Sequence, residues 1–219
     1  MISKDTLGFL KDLDKNNDRD WFLANKGRFE IAKADFTDFV AFMIGKISEF
    51  DPSAASVLPQ DCVFRIYRDV RFSKNKSPYK DHFGAYISPG GRKSAAPGYY
   101  FHLQPGKSFI AGGKYQPDSG ELLKLRNSIA NNTDEFLGIL KEKTFKKTFG
   151  DMDGEKLKTT PKGFQADHKA IEYLRLKDFV ASREFFDDAV VTSKEFPAAL
   201  VKNLNELYPL IKFLRKALA

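Results

Sequence analysis

The chain of 219 residues is long enough to bury about 70–75% of the surface that its unfolded form exposes, so it needs no crosslinks to fold. Hydrophobic residues make up 42% and charged residues 30%, which excludes wholesale disorder, and 21 phenylalanines indicate an aromatic core. The net charge of +7 favours anionic partners, but it says nothing about the fold.

The first 50 residues have the pattern of helices. A short helix is expected over residues 5–13, and Asn17 or Asp18 is a suitable N-cap for the segment that follows. From Trp21 to Phe50, apolar residues recur at every third or fourth position. This spacing predicts one long amphipathic helix.

Residues 62–115 form short segments rich in aromatic and β-branched residues, separated by Pro/Gly turns. This composition predicts four strands, in "CVFRIYRDVRF", "HFGAYIS", "GYYFHLQ" and "SFIAGGKY". The turn "QPGKS" predicts that the last two strands are antiparallel neighbours.

The rest of the chain returns mainly to helical patterns. Pro117 and Asp118 open a helix that extends to about residue 131, and a shorter helix follows from Thr133. After an irregular stretch at 150–168, a strand is expected over residues 174–181, and then an amphipathic C-terminal helix.

Helices, mostly antiparallel strands and more helices together predict an α+β fold. We expect a single domain over residues 1–219, with a mainly antiparallel sheet flanked by N- and C-terminal amphipathic helices. Within it, residues 1–50 are helical, 62–115 strand-rich and 118–219 mixed helical.

The segment "FRIYRDVRFSKNKSPYK" concentrates positive charge in the first predicted strand and the loop after it. As a strand, it would place Arg68 among apolar neighbours, where a buried guanidinium needs an acid or an anion. Three of its cations are arginines, which bind carboxylates and phosphates in a bidentate manner. An anion-binding surface and a set of structural ion pairs both remain open.

The chain has three histidines, and two of them are candidates for acid/base chemistry. His102 shares a polar strand face with Tyr100 and Gln104, while His82 and His168 each follow an aspartate. The catalytic candidates are His102, His168 and Asp69. Ordinary hydrogen-bonded histidines are the alternative.

A second group of charged residues lies at 158–184, where alternation around Arg175 and Lys177 suggests another cationic strand. A charged outer face of an edge strand explains the pattern equally well. The candidate ligand-binding residues from both segments are Arg65, Tyr67, Arg68, Arg71, Lys76, Tyr79, Lys80, Lys162, Arg175 and Arg183.

No motif indicates a metal site or a cofactor, so we expect neither. The histidine spacings match no metal-binding pattern, and "SPGGRKS" does not fit a phosphate-binding loop. The single cysteine, Cys62, excludes an internal disulfide and fits a reducing compartment. Without a signal peptide or an apolar run of about 18 residues, we expect a cytoplasmic protein with no membrane partner.

Three segments resemble a conserved family of bacterial and fungal proteins of unknown function. They are "RIYRDVRFSKNKSPYKDHFGAYIS", "GYYFHLQPGKSFIAGG" and "LKTTPKGFQADHKAIEYLRLKDFVASREF". The resemblance implies that the whole chain is one such domain and points to a site, with no established activity. The positions that match its pattern in the first segment are Arg65, Tyr67, Arg68, Asp69, Arg71, Phe72, Ser73, Lys76, Pro78, Tyr79 and Lys80. Those in the other two are Tyr100, His102, Pro161, Lys162, Gly163, His168, Arg175, Lys177 and Arg183.

The leading functional hypothesis is a basic pocket on the sheet that binds a phosphate-bearing or other anionic ligand. The first alternative is an enzyme acting on phosphate esters or nucleic acid, with His102 or His168 as general acid/base. The second is a domain that binds nucleic acid or a protein without chemistry.

Overall fold

The computed structural model describes residues 1–152, 154–185 and 187–219. The chain has an α+β fold, with helices at both ends and a four-stranded antiparallel sheet, as the sequence predicts. The N-terminal helices are α1 (Lys4–Lys15), α2 (Arg19–Ala24), α3 (Lys26–Ser48) and α4 (Pro59–Cys62).

The remaining elements follow in chain order. The first three strands are β1 (Phe83–Ile87), β2 (Gly98–Leu103) and β3 (Ser108–Lys114). Next come α5 (Ser119–Asn131), α6 (Thr133–Lys141), α7 (Lys143–Phe149), α8 (Ile171–Leu174), β4 (Phe179–Phe185), α9 (Asp188–Val191) and α10 (Phe196–Leu218).

The long helix expected from Trp21 to Phe50 forms over Lys26–Ser48, but its first residues belong to a separate helix because the chain breaks at Asn25. The Asn25 side-chain amide donates to the Trp21 carbonyl at 2.9 Å, which ends α2. Asparagine competes with the backbone for hydrogen bonds in this way and favours caps over helix interiors. The expected N-cap is confirmed, since the Asp18 side chain accepts from the Trp21 N–H.

The strands follow each other in the sheet in the order β1-β2-β3-β4, which confirms that β2 and β3 are neighbours. Two of the strand predictions are wrong. The basic segment makes only isolated bridges, Val63 to Ala85 and Tyr67 to Tyr79. The strand expected over 174–181 starts only at Phe179, because residues 171–174 form the short helix α8.

The residues fall into two compact units that we describe separately. The first comprises residues 1–93, 100–110 and 184–201, and the second comprises 94–99, 111–183 and 202–219. The expectation of a single domain over the whole chain stays a prediction.

Phenylalanine rings form the core of the first unit, as the composition indicates. Phe36 on α3 stacks on Phe83 at 5.3 Å between ring centroids and on Phe101 at 5.8 Å. Phe39, one turn further along α3, lies 5.4 Å from Phe101. Each such pair stabilises the fold by about 0.5–1.5 kcal/mol beyond the burial of its area. This packing covers one face of β1 and β2.

The second unit has its own aromatic and polar contacts. Phe136 on α6 packs against Tyr173 at 5.3 Å and against Phe213 on α10 at 5.4 Å. The helix start expected at Asp118 is confirmed by a capping box between Asp118 and Glu121. In the described part of the chain, no helix combines the length and the apolar character needed to cross a membrane.

Candidate functional site

The polar face of β2 carries a connected set of hydrogen-bonded side chains in the first unit. Alternation along the strand turns Phe101 and Leu103 into the core and brings Tyr100 and His102 together on the other face. Gln104, just past the end of the strand, joins them by a hydrogen bond to His102. The shared polar face predicted for these three residues is therefore confirmed.

A bulge beside β1 directs two more polar side chains toward the polar face of β2. Val63 pairs with Ala85 and Tyr67 pairs with Tyr79, so three residues on one side of the ladder, 64–66, oppose five on the other, 80–84. Extra residues in one strand re-aim side chains, and such bulges occur next to functional sites. Asp81 and His82 lie in this bulge, and both contact the residues of β2.

Five side chains form one connected hydrogen-bond chain. Asp81 accepts from His82 Nδ1 at 2.9 Å and from Gln104 Nε2 at 2.7 Å. His102 Nε2 lies 3.0 Å from Gln104 Oε1, and His102 Nδ1 lies 3.0 Å from the Tyr100 hydroxyl. We refer to Asp81, His82, Tyr100, His102 and Gln104 as the polar cluster.

The Asp81 carboxylate fixes the direction of this chain. A carboxylate only accepts, so both His82 Nδ1 and the Gln104 amide nitrogen must donate to it. Gln104 Oε1 then faces His102 and accepts from its Nε2–H. In a neutral ring His102 Nδ1 is left as an acceptor, and the Tyr100 hydroxyl donates to it.

Burial keeps both inner members of the polar cluster uncharged. Loss of hydration lowers the pKa of His102 to about 4, and the ring is only 8% exposed. Burial also raises the pKa of Tyr100 to about 12. His102 is therefore neutral at neutral pH with both nitrogens engaged, which leaves it without a free nitrogen for acid/base catalysis.

Gly84 provides the space that Tyr100 occupies. A Cβ atom added at Gly84 would lie 2.8 Å from the Tyr100 hydroxyl oxygen and 3.3 Å from its Cε2. These distances are shorter than normal van der Waals contacts, so a side chain at Gly84 would displace the ring that donates to His102.

Two cations adjoin the polar cluster without a carboxylate partner. Lys80 begins the bulge, and its ammonium lies 5.4 Å from the centre of the Phe64 ring. Burial, and then the positive charge of Arg65, lower the pKa of Lys80. Among the described residues, the Lys80 ammonium and the Arg65 guanidinium make no hydrogen bond and no ion pair.

The other predicted cations of the basic segment are held by their own loop. Arg68 is half-buried and donates to the Ser77 carbonyl and the Ser73 hydroxyl, and no carboxylate among the described residues pairs with it. Arg71 forms an exposed bidentate pair with Asp69.

Lys76 and the two tyrosines complete the predicted set in this segment. Lys76 donates to the Val70 carbonyl at 3.0 Å, which closes the same loop. Tyr67 and Tyr79 lie 5.4 Å apart, and Tyr79 stacks on Phe22 at 4.0 Å. Tyr79 is thus a core residue, whereas Tyr67 is half exposed.

The candidates in the second unit have local roles. Arg175 donates to the carbonyls of Leu157 and Lys158 and pairs with Glu172. His168 Nδ1 accepts from the backbone N–H of residue 170 at 3.0 Å. Lys162 is exposed, and Arg183 is half-buried on β4.

Sequence reasoning missed Asp81, His82 and Gln104 as site residues. Strand alternation does place Gln104 beside His102, and that signal could have included it. The bulge that turns Asp81 and His82 toward them depends on a shift in ladder register, which no local pattern reports.

No group of three or more His, Cys, Asp or Glu side chains is arranged to hold a metal ion in residues 1–152, 154–185 and 187–219. No curated protein and no solved structure matches the chain. Residues 5–213 match the family described as a conserved hypothetical protein, DUF2461. The chain therefore belongs to the conserved hypothetical protein family DUF2461, a family of unknown function, as the resemblance of its motifs implied.

Proposed function

We propose that the bulge beside the polar cluster binds a phosphate-bearing or other anionic ligand between Arg65 and Lys80. The observation that supports this most is a half-buried ammonium, Lys80, which lacks a carboxylate partner in the described chain and lies close to a second cation. Like charges held together and partly removed from water raise the free energy of the folded state. An anion placed between Arg65 and Lys80 replaces their mutual repulsion with an attraction to each of the two positive charges.

The surroundings suit a phosphate group. Arg65 is exposed and supplies the planar, five-donor group that binds phosphate oxygens in pairs. Lys80 supplies a point charge beside it, and Arg71 already has its own carboxylate. The anion site we propose is therefore smaller than the full basic segment, with Arg65 and Lys80 as its cations.

Titration with inorganic phosphate tests this proposal. Calorimetry should detect binding to the wild-type protein, and Arg65→Met or Lys80→Met should each weaken it about tenfold or more, because hydrogen bonds to charged groups contribute about 1.5–3 kcal/mol. Lys162→Met is the matched control, since it removes one exposed cation of the second unit. Equal phosphate affinity in all four proteins would contradict the proposal.

A second candidate function, binding of single-stranded nucleic acid, is favoured by Phe72. This side chain is 96% exposed, and the Arg71 guanidinium lies 5.8 Å from the centre of its ring. The loop that carries it also presents Lys74 and Lys76 to solvent. An exposed aromatic ring among cations can stack on a base while the cations contact phosphates, and such stacking contributes about 1–3 kcal/mol per base.

Fluorescence anisotropy with a labelled oligothymidylate tests this second function. Binding should weaken as salt is added, and Phe72→Ala should reduce affinity about fivefold or more while stability stays within about 0.5 kcal/mol. Leu123→Ala, which shortens another exposed apolar side chain, should leave affinity unchanged. Affinity that ignores both salt and the Phe72 ring would rule this function out.

We also infer a reducing compartment, the cytoplasm, as the place of action. Cys62 is buried, and burial raises the pKa of its thiol to about 11. A buried thiol that stays protonated neither forms a disulfide nor acts as a nucleophile, so the one cysteine of the chain fits a structural role there.

A further inference from the structure

His82 has one ring nitrogen that the polar cluster leaves free. Its Nδ1 is bound to Asp81, and its Nε2 has no hydrogen-bond partner in the part of the chain that the structure describes. The side chain is 24% exposed, so solvent and a ligand can reach it. His102, by contrast, uses both of its nitrogens within the cluster.

We propose that His82, oriented by Asp81, is the general base of a phosphate monoester hydrolase whose substrate phosphate is held by Arg65 and Lys80. This inference rests on the proposed anion site. It replaces His102 and His168 with a histidine that lies in the same bulge as Lys80.

The hydrogen bond from Asp81 defines the reactive form of the ring. Because the carboxylate accepts, the neutral imidazole of His82 carries its proton on Nδ1 and presents the lone pair of Nε2. The same carboxylate stabilises the imidazolium that forms when Nε2 takes up a proton. An aspartate plays this part for histidine bases in hydrolases of unrelated fold.

The groups that face His82 are compatible with this role. The carboxylate of Asp81 lies on one side, and its pKa is lowered first by the hydrogen bond from His82. The His102 ring lies 4.1 Å away between centroids and is neutral, so it adds no opposing charge. Lys80, the remaining charged neighbour in the bulge, is positioned to hold the phosphate.

The chemical step uses water as the second reactant. Water oxygen forms a bond to phosphorus, and its proton moves to His82 Nε2. The ester P–O bond breaks, and its electron pair leaves with the alcohol oxygen, which then takes the proton from His82 or from solvent. The products are inorganic phosphate and an alcohol, so the atoms and charges balance.

Hydrolysis of p-nitrophenyl phosphate tests the base directly, since p-nitrophenolate leaves without needing a proton. His82→Asn should lower the wild-type rate by about 100-fold or more, because it removes the group that accepts the proton of water. Asparagine can keep the donor to Asp81 while removing the base. His168→Asn is the control and should hydrolyse the ester at the wild-type rate.

Two further measurements separate this inference from the proposed anion site. Nitrogen-15 NMR of the imidazoles should place the neutral proton of His82 on Nδ1, and Asp81→Asn should weaken that preference. Phosphate binding should survive in His82→Asn, with the fold checked by amide spectra. Binding of phosphate without ester hydrolysis, or hydrolysis that His82→Asn leaves intact, would overturn the base while the anion site stands. Absence of phosphate binding in the wild type would overturn both.

Discussion

The side-chain amide of Gln104 donates to Asp81 Oδ2 at 2.7 Å, and this hydrogen bond sets which atoms donate and which accept between Gln104, His102 and Tyr100. With the amide nitrogen directed at the carboxylate, Gln104 Oε1 must accept from His102, and His102 must accept from Tyr100. The polar cluster therefore holds a neutral, buried histidine in one tautomer. Asp81 connects that buried part to the partly exposed His82 ring.

Substitution of Gly84 should damage this arrangement. The Cβ of Gly84→Ala lies 2.8 Å from the Tyr100 hydroxyl oxygen, so the ring must move and its hydrogen bond to His102 is lost. We expect a loss of about 1–3 kcal/mol in the free energy of unfolding, which is typical of overpacking. Urea denaturation followed by circular dichroism measures it.

A double variant shows whether the Tyr100 hydroxyl oxygen is the atom that the new Cβ at Gly84 displaces. Tyr100→Phe removes the closest oxygen, so in the Tyr100→Phe background Gly84→Ala should cost clearly less than in the wild type. Gly138→Ala is the control, because its Cβ meets nothing within 4 Å and helix α6 gains propensity. Additive losses in the double variant would contradict the proposed contact.

Acid should destabilise the protein through His102. The unfolded chain binds a proton near the ordinary pKa of about 6.5, whereas burial lowers the pKa in the folded state to about 4. The contribution of neutral His102 to stability is full above pH 6.5 and is lost as the pH falls toward 4. The loss across this window is about 3 kcal/mol at most.

Stability curves of variants between pH 7 and 4.5 check this linkage. His102→Asn cannot titrate, so its free energy of unfolding should fall less steeply with acid than that of the wild type. Parallel curves for wild type and His102→Asn would show that the His102 proton does not carry the effect.

Much of the fold follows from periodicity in the sequence. Three of the four predicted strands in residues 62–115 form as expected, and Asp118 begins its helix. The shared face of Tyr100 and His102 also follows from alternation alone. These features depend on local patterns, which is why sequence reasoning reaches them.

The structure of the basic segment could not be predicted in the same way. Its alternation is that of a strand, but the ladder slips by two residues between Val63 and Tyr67, so only isolated bridges form. Arg68 then faces the carbonyl of Ser77 in place of a charged partner. Register and long-range hydrogen bonds are set by tertiary packing, and single-sequence patterns carry little information about them.

Arg68 should stabilise the loop at residues 73–77 of the basic segment through its hydrogen bonds. Its guanidinium donates to the Ser77 carbonyl at 3.1 Å and the Ser73 hydroxyl at 3.3 Å, so Arg68→Met should cost about 1–2 kcal/mol. Amide hydrogen exchange in residues 73–77 should accelerate. Arg65→Met, whose guanidinium holds no such bonds, should leave this exchange unchanged. Slow amide hydrogen exchange at residues 73–77 in both variants would show that the Arg68 hydrogen bonds do not stabilise this loop.

The pKa of Lys80 should report directly on its cationic neighbour. Burial is the larger cause of the lowered pKa, and Arg65 adds to it. Arg65→Met should therefore raise the pKa of Lys80, because the protonated ammonium no longer faces a second positive charge. Arg71→Met should leave it unchanged, since Arg71 is neutralised by Asp69.

Sulfate added to the wild type should raise the pKa of Lys80 as well, by stabilising the charged form. Carbon-13 NMR of the lysine Cε groups follows the titration, and a Lys80 pKa that responds neither to Arg65→Met nor to sulfate would exclude an anion site between these two residues.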